Sequence, residues 1–139
     1  MQALYTASAT AVGGRNGAIK SSDGVLDLKL AYPKELGGPG GAATNPEQLF
    51  AAGYAACFEN ALLRVARERK QPIRESKVTA HVAIGRNEKN FFELAVQLEV
   101  SVPDKDTAEI EELANVAHEE VCPYSRATRG NIEVQVKVV

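Results

Sequence analysis

The two cysteines of this 139-residue chain, Cys57 and Cys122, are the side chains best suited to covalent chemistry. Cys57 lies in the apolar segment 49–58, whereas Cys122 ends an amphipathic segment and is followed at once by Pro123. A thiol inside an apolar helix and a second thiol at a helix end fit a nucleophile and a resolving partner. This pair predicts the chemistry of a thiol peroxidase, in which a sulfenic acid on one sulfur condenses with the other thiol.

The residue types leave two other roles open for the cysteines. They can be unrelated buried side chains, because a thiol in apolar surroundings has a raised pKa and is normally inert. They can also bind zinc together with His81 and His118, since His118 precedes Cys122 by four residues and a helix would turn both to one face. Against zinc, the sequence has no Cys-x-x-Cys and no pair of histidines at ligand spacing.

A sheltered Cys57 thiolate needs a cation nearby, because burial disfavours the charged form of the thiol. Arg15 is the candidate cation, since it lies in the glycine-rich turn 13–17, and glycines let a backbone approach a site closely. Glu47 would hold the Arg15 guanidinium as a bidentate partner. The alternative role for Glu47 is that of a first-turn carboxylate stabilised by the helix dipole.

Helix geometry sets a condition on this site. Glu47 and Cys57 lie on one predicted helix, roughly 15 Å apart along its axis and about 80° apart around it. A straight helix cannot bring both side chains to one group of atoms. Either the long Arg15 side chain bridges them, or one of them belongs to a neighbouring subunit. The second arrangement predicts a homodimer with composite sites and two-fold symmetry.

The hydrophobic pattern predicts an α+β fold with mainly antiparallel sheet. Strands are predicted over 2–12, 18–30, 76–84, 91–102 and 132–138, and helices over 46–70 and 106–121. Alternation places Leu94, Val96, Leu98, Val100 and Val102 on one face of the fourth strand. No linker or repeat interrupts the order of elements, so a single domain over residues 1–139 is expected.

Local signals predict where the elements begin and end. The turn 13–17, with its Asn-Gly pair, and the segment 85–90 predict two hairpins. Asn45, followed by a proline and then by Gln48 at the third helical position, predicts a capped helix start with a capping box. The first half of that helix is apolar on nearly every side, which predicts a central buried helix. Pro123 predicts a break before the last strand.

Composition and charge exclude several classes of partner. A formal charge of −2, with 45% hydrophobic and 24% charged residues, indicates a globular protein and argues against nucleic acid as a partner. The sequence shows no secretory signal and no apolar segment near the ~20 residues of a membrane span. We therefore expect a cytoplasmic protein without a membrane partner, in a compartment that keeps thiols reduced. The glycine-rich segment 33–44 lacks the Gly-Lys-Ser/Thr of a phosphate-binding loop.

Several segments together resemble the organic hydroperoxide resistance proteins, the Ohr branch of the OsmC-like superfamily. They are 21–26, 34–41, 44–58 and 122–125, and the likeness continues to 130–132, which is nearly the whole chain. The run that ends in Cys57 is highly specific, whereas the glycine-rich loop alone is not.

The resemblance implies an OsmC/Ohr-like fold, with antiparallel sheets around a long central helix, in an intertwined homodimer with two active sites at the subunit interface. It implies that Cys57 is the peroxidatic thiolate and Cys122 the resolving thiol, joined in one chain after turnover. It also implies that Arg15 activates Cys57 and that Glu47 orients Arg15.

The resemblance further implies that organic hydroperoxides, including lipid-like ones, are reduced to alcohols by a redox-active disulfide. The expected reductant is external, either dihydrolipoamide or a lipoylated protein, and no metal, haem or flavin is expected. An apolar mouth for the substrate would be lined by Phe50, Tyr54, Phe58 and Tyr124, although ordinary core packing is the alternative for each ring. The alternative functions are an OsmC-type peroxidase with another peroxide range and a fatty-acid binding protein in which the cysteines only pack.

Overall fold

The computed structural model covers residues 1–139 and contains six strands and three α-helices. The strands are β1 (Ala9–Val12), β2 (Ala18–Ser21), β3 (Asp27–Lys29), β4 (Lys77–Arg86), β5 (Phe92–Ser101) and β6 (Glu133–Val138); the helices are α1 (Pro46–Glu68), α2 (Thr107–Val116) and α3 (Pro123–Thr128). The chain divides into two compact units, Met1–Leu49 and Phe50–Val139. The mixed α+β class and the long helix are confirmed, while the assignment of one domain to residues 1–139 stays a prediction.

The first unit contains a three-stranded antiparallel sheet in the order β1-β2-β3. The predicted hairpin between β1 and β2 is present, but its connection is a 3-10 turn, Gly14–Asn16, and not a two-residue Asn-Gly turn. Glycine is required here because Gly13 has a φ of 80° and a Cβ on Gly17 would lie 1.8 Å from the Val12 carbonyl oxygen.

The single strand predicted over 18–30 is wrong, because the chain turns between β2 and β3. The Asp23 carboxylate accepts hydrogen bonds from the Ser21 hydroxyl and from the Val25 N–H, at 2.5 and 3.0 Å. Gly24 follows with a φ of 75°. This side-chain-stabilised turn interrupts an otherwise strand-like pattern. The prediction of a strand from residue 2 is also wrong, since β1 begins at Ala9.

The second unit contains the sheet β4-β5-β6, in which β4 and β5 pair antiparallel and β5 and β6 pair parallel. The predicted hairpin and the apolar face of β5 are confirmed, since Val96, Leu98, Val100 and Val102 are buried. They form one core with Tyr54, Phe58, Ala61, Leu62, Val65 and Ala66 of α1 and with Ile110, Leu113 and Ala114 of α2. None of the helices is long and apolar enough to cross a membrane.

The start of α1 is confirmed as capped, but the capping box is not closed. The Asn45 side chain accepts the Gln48 N–H at 2.8 Å, as an N-cap does. The Gln48 side chain accepts the Thr44 hydroxyl at 3.0 Å instead of returning to the Asn45 N–H. The first half of α1 is less buried in this chain than its apolar composition predicts, since Ala52 and Ala56 are exposed.

The predicted helix over 106–121 is an α-helix only as far as Val116 and continues as a π-helical turn, Ala117–Val121. The sequence predicts only a break at Pro123, but the structure shows more than a break. Pro123 opens α3, with Cys122 as the N-cap residue and the proline in the first turn. Proline suits that position because its missing N–H would have no partner there.

Candidate active site

The two cysteines lie side by side in the second unit. Cys57 is half-buried on α1, and Cys122, at the N-terminus of α3, is 1% exposed. Their Sγ atoms are 3.8 Å apart, and both are free thiols. A disulfide bond measures about 2.05 Å, so a shift of under about 2 Å would join them. The geometry therefore suits a sulfenic acid on one sulfur that is captured by the other.

The surroundings of Cys57 in the second unit disfavour its thiolate. Burial raises the pKa of the Cys57 thiol most, and the neighbouring Cys122 raises it further through its charge and its hydrogen bond. A hydrogen bond from the backbone of Tyr124 acts in the opposite direction and lowers this pKa. Because the raising effects dominate, a reactive Cys57 needs a further cation.

The backbone contribution of Tyr124 is a feature that the sequence analysis missed. Its amide lies in the first turn of α3, where N–H groups have no partner within the helix. The signal was present in the sequence, since a residue followed by proline is typical of a helix N-cap and first turn. Pro123 is therefore compatible with a helix start as well as with a break, and here it lies in the first turn of a helix beside Cys57.

Arg15 and Glu47 form a bidentate ion pair within the first unit. Arg15 donates from Nη1 to Glu47 Oε2 at 2.8 Å and from Nη2 to Oε1 at 2.6 Å. The side chains are 28% and 13% exposed, so the pair is partly shielded from water. The hydrogen bond from Arg15 lowers the pKa of Glu47, and the same contact raises the pKa of Arg15. The predicted pairing of these two residues is present, while their roles in a reaction stay predictions.

Tyr32 is a second residue that the sequence analysis missed. Its ring centroid lies 5.7 Å from the Arg15 guanidinium carbon, within cation–π range. The Tyr32 N–H also donates to the Asn16 side chain at 3.2 Å, which ties Tyr32 to the turn that carries Arg15. No sequence pattern indicated Tyr32. In the structure, a Cβ on Gly38 would lie 2.2 Å from the Tyr32 Cβ. The glycine-rich loop therefore packs closely around Tyr32.

Three of the four predicted substrate-binding aromatics lie together. Phe50 and Tyr54 meet edge to face with centroids 5.9 Å apart, and the Tyr124 ring lies 5.6 Å from Tyr54 and 6.1 Å from Phe50. Tyr124 is 39% exposed, whereas Tyr54 is fully buried. Phe58 is also fully buried and lies 6.4 Å from the His118 ring instead. Substrate binding by these four residues stays a prediction.

The four residues of the zinc alternative do not lie together as a ligand set. His118 Nδ1 is hydrogen-bonded to the Ser125 hydroxyl at 2.9 Å. His81 Nε2 lies 3.3 Å from a carboxylate oxygen of Glu99 on the sheet. No group of three or more histidine, cysteine or carboxylate side chains is arranged to hold a metal ion.

Several known proteins are similar to this chain in fold and in sequence. The pattern of the OsmC-like protein family matches residues 38–137. An organic hydroperoxide resistance protein of Xanthomonas axonopodis pv. citri is 54% identical over 132 residues, which are 94% of this chain and 92% of that protein. The crystal structure of an organic hydroperoxide resistance protein from Legionella pneumophila has a TM-score of 0.92 and 49% identity, covering 99% of this chain and 98% of that one.

A third relative is the crystal structure of a putative organic hydroperoxide resistance protein from Vibrio cholerae, with captopril bound in one of its active sites. It has a TM-score of 0.91 and 54% identity, covering 99% of this chain and 94% of that one. The chain belongs to the OsmC-like family, in the group of the organic hydroperoxide resistance proteins.

Proposed function

We propose that this protein is a cysteine-based peroxidase that reduces alkyl, aryl and lipid hydroperoxides to alcohols as part of the response to oxidative stress. The observation that carries the proposal is the pair of free thiols at 3.8 Å, one half-buried and one fully buried. This contact is what a nucleophile and a resolving thiol require, because a disulfide forms only between sulfurs that can approach each other. Membership of a family named for hydroperoxide resistance supplies the substrate class.

In the first step the Cys57 thiolate attacks the distal oxygen of the hydroperoxide, and the O–O bond breaks. The alkoxide takes a proton and leaves as the alcohol, while Cys57 becomes a sulfenic acid. Arg15 is the proposed cation, which lowers the pKa of Cys57 and stabilises charge on the peroxide oxygens. Glu47 holds the two Nη nitrogens of the guanidinium, so it fixes the direction of the remaining N–H groups.

In the second step the Cys122 sulfur attacks the Cys57 sulfenic acid, and water leaves with the Cys122 proton. The product is an intrachain disulfide between the two residues. The short distance between the sulfurs supports this step, because capture competes with further oxidation of the sulfenic acid. An external dithiol then returns both thiols, and we propose dihydrolipoamide or a lipoylated protein in the cytoplasm as its source. The chemistry needs no resident cofactor.

We also propose that the protein works as an intertwined homodimer. Among residues 1–49 only Leu30 is buried, which is too little core for a three-stranded sheet with strands of three and four residues. The cross-strand row Ala11, Ile19 and Leu28 places apolar side chains on one face of that sheet, and Leu28 is 38% exposed. A second copy of the chain would cover this face and would complete composite sites.

The test treats reduced protein with one equivalent of cumene hydroperoxide and follows free thiols and mass. Both thiols should disappear together and an intrachain disulfide should form. Cys57→Ser should abolish turnover. Cys122→Ser should stop at a Cys57 sulfenic acid with one equivalent and should over-oxidise at Cys57 when a second equivalent of peroxide is added. Persistence of both thiols in the wild-type protein would favour a binding protein in which the cysteines only pack. Equal rates with hydrogen peroxide would favour an OsmC-type peroxidase with a broader range.

A further inference from the structure

A buried chain of hydroxyl groups connects α1, α3 and the π-helical turn beside the two cysteines. The Tyr54 hydroxyl lies 3.0 Å from the Ser125 hydroxyl and 3.2 Å from the Thr128 hydroxyl. Ser125 Oγ is also 2.9 Å from His118 Nδ1. The side chains of Tyr54, Ser125 and Thr128 are at most 3% exposed, and no buried polar side-chain atom lacks a partner.

The direction of every hydrogen bond in this chain follows from one fixed end. The Thr128 hydroxyl donates to the backbone carbonyls of Tyr124 and Ser125, at 3.0 and 3.1 Å, because a carbonyl can only accept. Its single proton is therefore engaged, so it must accept from the Tyr54 hydroxyl. Tyr54 has then used its own proton and must accept from Ser125.

The same reasoning reaches His118. Since the Ser125 proton is directed to Tyr54, Ser125 Oγ must accept from His118 Nδ1–H. This fixes the neutral tautomer of His118 with its proton on Nδ1. Burial is the main cause that lowers the pKa of His118, which supports a neutral ring at neutral pH. Arg129 donates to the His118 backbone carbonyl at 2.6 Å and holds the same turn from α3's end.

The hydrogen-bonded hydroxyl groups lie about one helical turn from the two cysteine sulfurs, on both α1 and α3. Tyr54 precedes Cys57 by three residues on α1, and Ser125 follows Cys122 by three residues at α3. Residues three apart on a helix lie on the same side. The Tyr54–Ser125 hydrogen bond and the Cys57–Cys122 contact are therefore adjacent contacts between α1 and α3. The Tyr54–Ser125 hydrogen bond therefore helps to set the distance between the Cys57 and Cys122 sulfurs.

We propose that Ser125 is a positioning residue for disulfide formation: its hydroxyl, held by Tyr54 and oriented by His118, keeps Cys122 beside Cys57. The inference rests on the proposed function, and it assigns Ser125 to the second step alone. In that step the Cys122 S–H and Cys57 S–O bonds break, the S–S bond forms between the two sulfurs, and water leaves. No bond to Ser125 forms or breaks in this step, because Ser125 acts only by holding Cys122 in position.

The first experiment measures the Cys57–Cys122 effective concentration in glutathione redox buffers, which needs no peroxide. Ser125→Ala in the full chain should lower it by about tenfold, the effect expected from losing a buried hydrogen bond that holds the two helices. Ser76→Ala is the matched control, since Ser76 also donates to α1, to Glu59 at 2.8 Å, but lies outside the hydroxyl chain. An equal or higher value for Ser125→Ala than for the wild type would overturn the inference.

The second experiment separates the two steps with cumene hydroperoxide. In Ser125→Ala the first thiol should be lost within about twofold of the wild-type rate, while the disulfide should form about tenfold more slowly and Cys57 sulfinic acid should accumulate. Equal slowing of both steps would show a merely structural effect and would refute the assignment. If the wild-type protein itself does not consume the peroxide, the proposed function fails while the glutathione result still decides the role of Ser125.

A second pair of variants keeps the inference testable if Ser125→Ala does not fold. His118→Asn keeps a donor N–H at the position of Nδ1, whereas His118→Leu removes it. Only His118→Leu should reproduce the slow disulfide. Nitrogen NMR of His118 in the wild-type protein should show the proton on Nδ1, and the Nε2–H tautomer would contradict the chain of donors.

Discussion

At the scale of single residues, the reactivity of Cys57 depends on the groups that raise or lower the pKa of its thiol. The groups around Cys57 in its own unit raise the pKa of its thiol, because burial and a second thiol outweigh one backbone hydrogen bond. The Arg15–Glu47 pair is the partly shielded, bidentate ion pair that the sequence predicted. Residue types and glycine context made Arg15 predictable, whereas Tyr32 could not be foreseen because its contact depends on how the loop folds back.

Glu47→Gln tests whether the carboxylate matters for positioning Arg15. The amide keeps the shape but loses the charge and one acceptor, so the guanidinium is no longer held at both Nη1 and Nη2. We expect the rate of the first thiol loss with cumene hydroperoxide to fall by about tenfold or more. Glu68→Gln is the matched control, because its ion pair with Arg64 on the same helix is largely exposed. An unchanged rate in Glu47→Gln would remove Glu47 from the mechanism.

Cys122→Ser should lower the pKa of Cys57. The Cys122 thiol raises the Cys57 pKa through its charge and its hydrogen bond, and serine is not ionised at these pH values. A thiolate forms above its pKa, so the pH at half-maximal alkylation of Cys57 by iodoacetamide should move downward in the variant. A midpoint that stays in place or rises would show that Cys122 does not control the ionisation of Cys57. Wild-type protein reduced under the same buffer is the reference.

At the scale of elements, turn residues predicted the hairpins, capping residues predicted the start of α1, and periodicity predicted the buried faces of β5 and α2. The errors fall where local side-chain chemistry outweighs periodicity. Asp23 ends a strand that alternation alone would extend, and Pro123 opens a short helix that a breaker rule would miss. The second error mattered most for the site, because α3 carries Cys122 and supplies the backbone contact to Cys57.

Gly38→Ala should disturb the element that holds Tyr32 beside Arg15. The added Cβ would lie 2.2 Å from the Tyr32 Cβ and 2.3 Å from its carbonyl oxygen, so backbone must move. We expect a loss of stability of about 1–3 kcal/mol in urea unfolding and a slower first thiol loss. Gly85→Ala is the control, since nothing lies within 4 Å of its Cβ position, and it should be neutral or slightly stabilising. Equal stability of the two variants would show that the loop adjusts freely.

At the scale of the whole molecule, the sequence predicted more burial than a single chain provides. The first half of α1 is apolar on nearly every side, yet Ala52 and Ala56 are exposed, and Leu28 is exposed on the first sheet. A sequence pattern records burial in the working assembly, while one chain shows only what it covers itself. The disagreement is therefore the physical basis for proposing a second copy.

The wild-type protein should have twice the 14.9 kDa mass of one chain in light scattering after size exclusion. Leu28→Lys should shift it toward the single-chain mass and lower peroxidase turnover, because a lysine on the face shared with Ala11 and Ile19 would bury an unpaired charge in the dimer. Thr10→Lys is the matched control, since Thr10 lies on the opposite face of that sheet and should leave the mass unchanged. A wild-type protein of single-chain mass with full turnover would refute composite sites.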